Sequence, residues 1–292
     1  MIRSFSFPSR QDVGQRLGPQ QSTSGSGCIR IVIALAVAAF ALISFLGSKQ
    51  TNPVTGQEQY ISITQDQEIA LGLQSTPEME AQFGGLEPDQ RYQNAVQAIG
   101  DKLVNESFAT QSEYPFEFYV LADAQTVNAF ALPGGPVFIT RALMDLLPSE
   151  GSLASILAHE ISHVVARHSA EQISTQQLTQ GLTGAVVMAT YDPNNPSSMA
   201  TAEVAMLIGQ LVDMKFSRED EIVADTMGVK VMGQANYDPN TMLKVMQILE
   251  QAGSGNGVEF LSTHPSPENR TAKIQQAITD LYPSGVPGGM IQ

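Results

Sequence analysis

Charge is scarce in this chain, and positive charge is scarcer still. Of 292 residues, 15% are charged and 42% hydrophobic, a balance too apolar for wholesale disorder and sufficient for a sizeable core. Arg3, Arg10, Arg16 and Arg30 face only Asp12 before residue 47, whereas beyond it 11 basic side chains meet 28 acidic ones. Such a body repels nucleic acid and anionic lipid head groups, so nucleic acid is not an expected partner. A single cysteine, Cys28, excludes an intramolecular disulfide and leaves stability to packing. It precedes the long apolar run instead of following it, which argues against a lipoprotein cleavage site. No internal repeat is visible, which disfavours an appended helical-repeat module.

The one long apolar run is residues 31–46, IVIALAVAAFALISFL, with arginines ahead of it and only Lys49 just after. Its length lies at the lower edge of a spanning helix, and residues 28, 29 and 47 extend it. A cleaved signal peptide shares this pattern, but the polar stretch ahead is long and no clean cleavage site follows. The expected organisation is a disordered cytoplasmic tail (1–28), a transmembrane signal anchor (29–47), a polar linker (48–60), a body (61–284) and a short tail (285–292). The basic side stays in the cytoplasm, so the body crosses the membrane, to the periplasmic side of a bacterial inner membrane. The Arg/Ser-rich, acid-poor start also fits a mitochondrial transit peptide, which would move the same body to the mitochondrial inner membrane.

Helical periodicity begins near Ser62 and resumes over 91–108, where Tyr92, Val96, Ile99 and Leu103 share a face that Phe108 closes. The clear β region follows. Residues 115–123 alternate, and VNAFAL and PVFIT flank the turn Pro133-Gly134-Gly135-Pro136. Two short strands about a Pro/Gly turn predict a hairpin, with the first run as a third strand. From Ala142 the pattern is helical almost to Leu281, with breaks at Pro148, 192–196, Asp238-Pro239 and 253–257. Residues 169–214 contain no lysine or arginine, and their apolar Gly/Met-rich runs read as buried helix, with a lid over the cleft or a face resting on the membrane as the alternatives. The expected fold class is α+β, mainly helical, with a small three-stranded sheet.

Residues 152–172 read as a helix with a core stripe of Leu153, Leu157, Ile161, Val164 and Val165. On it lies His159-Glu160-Ile161-Ser162-His163, an HExxH motif. Histidines four apart stand one above the other on one face, where two neutral imidazoles can bind one zinc ion. Ser152, Ser155 and Ala166 are in phase with them and small, which leaves room for a metal and a second backbone. Glu160 points about 100° around the helix, within reach of a water on the metal's open position.

A catalytic zinc takes three protein ligands and keeps one position open. Only four histidines exist; His168 falls on a different side of the helix, and no third histidine has the metzincin spacing. A carboxylate from a second helix is the better candidate. FSREDEIVADTMGVKVMG supplies one, with Ser217 as N-cap and Gly233 near the end. Glu221 and Asp225 lie four apart on one face, so one can ligate while the other orients an imidazole. Spacing alone does not separate Glu221 from Glu219 or Asp220.

HEISH, then SREDEIVAD, then THPSPENR resembles the M48 family of zinc metallopeptidases, whose signature is HExxH followed by ExxAD on a later helix. The resemblance covers about residues 60–280 and includes the NAF-x-LPGG stretch at 128–135. It implies a zincin-type domain holding one Zn2+, with Glu221 as third ligand beside His159 and His163 and Asp225 behind them. It further implies Glu160 as general base, His264 and Arg270 near a developing oxyanion, and Asn128 and Ala129 on an edge strand lining a substrate cleft. An exposed edge reads main chain more than side chains, so it suits unfolded polypeptides. The family includes Oma1-like mitochondrial proteases and bacterial envelope quality-control proteases; no tetratricopeptide tail is visible here. The expected function is a membrane-anchored zinc endopeptidase, with a zinc-binding chaperone or scaffold as the rival. Sequence leaves open whether His264 acts on the transition state or occupies zinc's open position at rest, and whether Arg270 instead pairs with Asp225 or another acid.

Overall fold

This computed structural model describes residues 24–190, 215–253, 258–265 and 269–292. In chain order the first elements are α1 (Ser24–Gly47), β1 (Lys49–Thr51), β2 (Glu58–Tyr60), α2 (Gln65–Gln82), α3 (Gln90–Asn105) and a 3-10 turn (Phe108–Ser112). They are followed by β3 (Glu117–Leu121), β4 (Ala129–Ala131), β5 (Pro136–Thr140), α4 (Arg141–Leu146), α5 (Glu150–Val165) and α6 (His168–Thr190). The last are α7 (Arg218–Gln234), α8 (Asn240–Gly253), α9 (Phe260–Thr263) and α10 (Arg270–Leu281). The breaks expected at 192–196 and after Gly253, the apolar run 205–212 and most of the N-terminal tail lie outside the described residues.

The mainly helical architecture and the three-stranded sheet are those expected. Strands β4 and β5 form the antiparallel hairpin about the Pro/Gly turn, with Phe130 opposite Phe138. Strand β3 joins β5 on the other side, parallel, with Phe118 beside Val137. All five residues of β5 are buried, as a central strand between two partners requires. Helices α3 and α5 close one face of the sheet through Val96, Ile99, Leu103, Ile156, Leu157 and Ile161. Every residue of α5 from Gly151 to Val165 is buried, so this helix is enclosed by protein on all sides. Helix α7 packs along it, and at Gly228 the two backbones come so near that an added Cβ would sit 3.5 Å from the Ala158 carbonyl. That approach falls at the residue next to His159.

Three expectations are corrected. The helix read over residues 152–172 is two helices, because Arg167 adopts a left-handed conformation with φ +60° and restarts the chain as α6. A left-handed non-glycine residue needs support, and Arg167 has it in buried Glu68, whose other oxygen accepts from the Tyr114 hydroxyl at 2.9 Å. The segment read as a linker (48–60) forms the β1–β2 hairpin and caps α5. Asn52 donates to the Val165 carbonyl at 3.0 Å and Gln59 to the Ala166 carbonyl at 2.7 Å, which satisfies acceptors that a helix end leaves free. Helix α6 starts in the core, with Ala170 and Ile173 buried, but beyond residue 180 it runs along α1, where Ala185 is buried and Leu182 is 40% exposed.

The closing residues 285–292 are also docked, since Asp238 donates to the Ile291 carbonyl at 2.8 Å. Gly100 on α3 marks the tightest contact with the sheet: a Cβ there would lie 2.5 Å from the Phe118 ring. Alanine normally gains about 1 kcal/mol over glycine inside a helix. Here the buried ring leaves no space, and overpacking costs about 1–3 kcal/mol. Gly100→Ala is therefore expected to lower the melting temperature, measured by circular dichroism, instead of raising it.

Candidate metal centre

His159 and His163 stack one turn apart on α5, both buried. Helix α7 starts at a capping box in which the Ser217 hydroxyl accepts from the Asp220 N–H at 3.1 Å and the Asp220 carboxylate from the Ser217 N–H at 2.9 Å. This fixes the phase of its first turn, in which Glu221 is fully buried while Glu219 is exposed. Tertiary packing thus separates the acids that spacing left equivalent. His264 follows α9 and also turns inward, fully buried.

These four side chains offer ligand atoms that all lie within 4.8 Å of one another. His159 Nε2 is 3.1 Å from His163 Nε2, 3.2 Å from His264 Nδ1 and 3.5 Å from a Glu221 oxygen. Glu221 Oε1 is 3.4 Å from His163 Nε2 and 3.0 Å from His264 Nδ1. A tetrahedral ion with ligands at about 2.0–2.1 Å has edges of about 3.3–3.4 Å. The separations quoted, 3.0–3.5 Å, bracket that figure, and the donor set of three imidazoles and one carboxylate suits a borderline-soft divalent cation. The site fits one metal ion.

The ligands are oriented from behind. His159 Nδ1 donates to Asp225 Oδ1 at 3.0 Å, which leaves Nε2 free to ligate. Asp225 in turn receives a two-pronged bond from Arg270, at 2.7 and 2.9 Å, and Arg270 also lies 3.1 Å from Glu221. Where sequence left Arg270 open between an oxyanion and an ion pair, the structure shows the ion pair. Burial opposes ionisation of Glu221, but His264, His159 and His163 hold it far below the usual carboxylate range. Burial likewise opposes Asp225, and its bond from His159 and the Arg270 charge keep it low. Burial would lower His159, yet Asp225 and Glu221 hold it up at about 9; His163 is driven well below its ordinary value by burial.

His168 is the residue that sequence reasoning placed wrongly. On a continuous helix it would point away; after the Arg167 corner its Nδ1 lies 2.9 Å from His163 Nδ1. For His163 Nε2 to offer a lone pair, Nδ1 must carry the proton and donate it to His168. Burial pulls His168 down to about 4, so it stands neutral and able to accept. Phe216, also missed, stacks on the His163 ring with centroids 4.0 Å apart. No helical spacing flags either contact, because both come from where the chain turns.

Glu160 is fully buried and neither of its carboxylate oxygens has a hydrogen-bond partner among the described residues. The group within ionic reach is His264 Nε2, at 3.6 Å, and burial pushes the Glu160 carboxyl up. Strand β4 edges the sheet beside it. Asn128 accepts from the Thr140 N–H and Leu132 donates to the Pro136 carbonyl, so the alternating residues Ala129 and Ala131 turn their main-chain groups outward. A cleft lined by Asn128, Phe130, Phe216 and His264 runs along that edge and, at ≈ 20 Å³, admits a water instead of a peptide.

A zincin-type metal protein is what this fold and site define. The comparison with known families agrees: the model of peptidase family M48 matches residues 90–278, and the chain belongs to that family. It is 29% identical to the beta-barrel assembly-enhancing protease of Escherichia coli (strain K12) over 263 residues, covering 86% of this chain and 53% of that protein. It is also 29% identical to the mitochondrial metalloendopeptidase OMA1 of Schizosaccharomyces pombe, covering 77% of this chain and 65% of the relative. The beta-barrel assembly-enhancing protease of Yersinia pestis is 30% identical over 79% of this chain and 48% of its own length. The chain thus spans about half the length of these bacterial relatives.

His168→Phe keeps ring volume but removes the acceptor. It is expected to leave the fold intact and weaken metal affinity about 10–100-fold, read by chelator competition on the full chain. Unchanged affinity would show that His163 is oriented by its packing alone.

Proposed function

We propose that this chain is a membrane-anchored zinc endopeptidase that hydrolyses misfolded or unfolded polypeptides of the cell envelope. The observation that carries the reading is partnerless Glu160 beside four converging ligand atoms. His159, His163 and Glu221 would hold the ion, with Asp225 and Arg270 keeping His159 and Glu221 in place, and His264 would lie close enough to join them. When bound, zinc supplies Lewis acidity, polarising a peptide carbonyl and acidifying a water. Glu160 takes the proton of the attacking water and returns it to the leaving amine; its raised pKa suits both transfers. The outward main chain of Ala129 would hold an extended substrate as an added strand once the narrow cleft opens, with the unpartnered Asn128 side-chain oxygen beside it.

Helix α1 is the anchor. Residues Ile29–Gly47 are long and apolar enough to span, with 6% of that stretch buried. The arginines ahead of it support a periplasmic body at a bacterial inner membrane; a mitochondrial inner membrane would satisfy the same anchoring.

Glu160→Gln is expected to retain one zinc per chain while casein cleavage by the full protein falls about 10²–10⁴-fold, and a chelator should abolish wild-type cleavage. Full cleavage by Glu160→Gln would remove the peptidase reading, and full cellular function with no cleavage would favour the scaffold. His264→Ala should open one corner of the site. The cobalt-loaded variant is expected to bind azide, seen in its visible spectrum, where the wild type does not; equal binding by both would show that His264 does not hold the corner.

A further inference from the structure

Taking α1 as a membrane span, we propose that the second half of α6 is embedded in the bilayer beside it. The membrane unit would then be an antiparallel pair of helices, one of which begins at the metal centre.

The two helices pack along each other. Near the membrane-proximal end of α1, the Phe45 ring stacks on Tyr60 at 4.8 Å, and Ser62, just beyond β2, bonds to Ser174 and Gln177 of α6 at 2.9 and 2.8 Å. Further along α6, Gly181 lies against α1, where an added Cβ would sit 2.8 Å from the Ala41 methyl. Advancing along α6 therefore means going back along α1. Ala41 lies six residues inside the end of the span at Gly47, a depth of about 9 Å at 1.5 Å per residue. Helix α6 continues to Thr190, about 13 Å deeper, within a hydrocarbon core of about 30 Å.

Composition agrees with that depth. Residues 172–191 include no Asp, Glu, Lys or Arg, and they change at Gly181 from Ser/Thr/Gln-rich to GLTGAVVMA. The polar half meets Ser62 and the end of α1, and the apolar half opens at Gly181 against Ala41. Among the described residues of α1 and of α6 beyond residue 180, the buried ones are small, Ala34 and Ala185, while Leu182 and Phe40 remain 40% and 74% exposed. Small residues inside and large apolar ones outside is how helices pair in lipid, where close backbone approach drives association. In water the same surface would leave a broad apolar patch uncovered. Because His168 opens α6 and touches His163, the cleft is held about 10 Å above the bilayer by a rigid helix. Segments of polypeptide close to the membrane are then the substrates within reach.

The test uses the full chain with Cys28→Ser and one added cysteine, from Phe40→Cys, Thr175→Cys or Leu182→Cys. Each is labelled with an environment-sensitive fluorophore and reconstituted into phosphatidylcholine–phosphatidylglycerol vesicles. Probes at 40 and 182 are expected to shift to the blue and to be quenched several-fold more by acyl-chain nitroxides than by iodide. The probe at 175 should show the reverse. If position 182 behaves like 175 while 40 is quenched from the acyl chains, α6 lies outside the bilayer: the proposal falls and the anchor stands. If position 40 is also aqueous, the anchor reading fails and this inference with it.

Discussion

Two buried carboxylates, Glu221 and Asp225, hold this structure to one arrangement. An ionised carboxylate out of water is costly unless charge and hydrogen bonds surround it, and here both demands meet at one point. Glu221 faces three imidazoles and Arg270; Asp225 faces His159 and the fork of Arg270. Helices α5, α7 and α10 are therefore tied through side chains that cannot part without leaving a charge unpaired. The ion pair between Arg270 and Asp225 belongs to the support of the ligands, not to the cleft.

The rest of the fold delivers these groups to that point. The Gly228–Ala158 approach brings α7 alongside α5, and the Ser217 capping box sets which acid of the first turn faces inward. The β1–β2 hairpin closes the end of α5, and the Glu68–Arg167 pair holds the corner that returns His168 to His163. On the opposite side, the sheet presents its β4 edge to the same space. The His/Glu cluster, partnerless Glu160 and the strand edge thus share one narrow cleft although they come from distant stretches of sequence.

An acidic body and one long apolar helix would divide the labour of location. The body's negative charge keeps it off anionic head groups, so in the proposed reading attachment would come through helices that enter the hydrocarbon. The continuity of α6 from the metal centre to α1 would make that attachment stiff, fixing the height of the cleft as well as its presence at the membrane.

Much of this was legible in the residue order, wherever a local rule governs. The period of four between His159 and His163 puts them on one face in any α-helix, and the Pro/Gly turn between two apolar runs makes the β4–β5 hairpin. Ser217 caps α7 as its hydroxyl and the acids after it require. Family resemblance, not spacing, singled out Glu221, and burial then separated it from Glu219. What only tertiary structure decided is where the chain changes direction and what meets there. A left-handed Arg167 depends on Glu68, 99 residues away, and no periodicity contains that contact. The contacts of His168, the capping by residues 52 and 59 and the pairing of α6 with α1 follow from that turn or from packing between distant segments. Local backbone geometry depends on neighbours in sequence, and so can be read from them; the meeting of distant surfaces depends on the whole chain having packed.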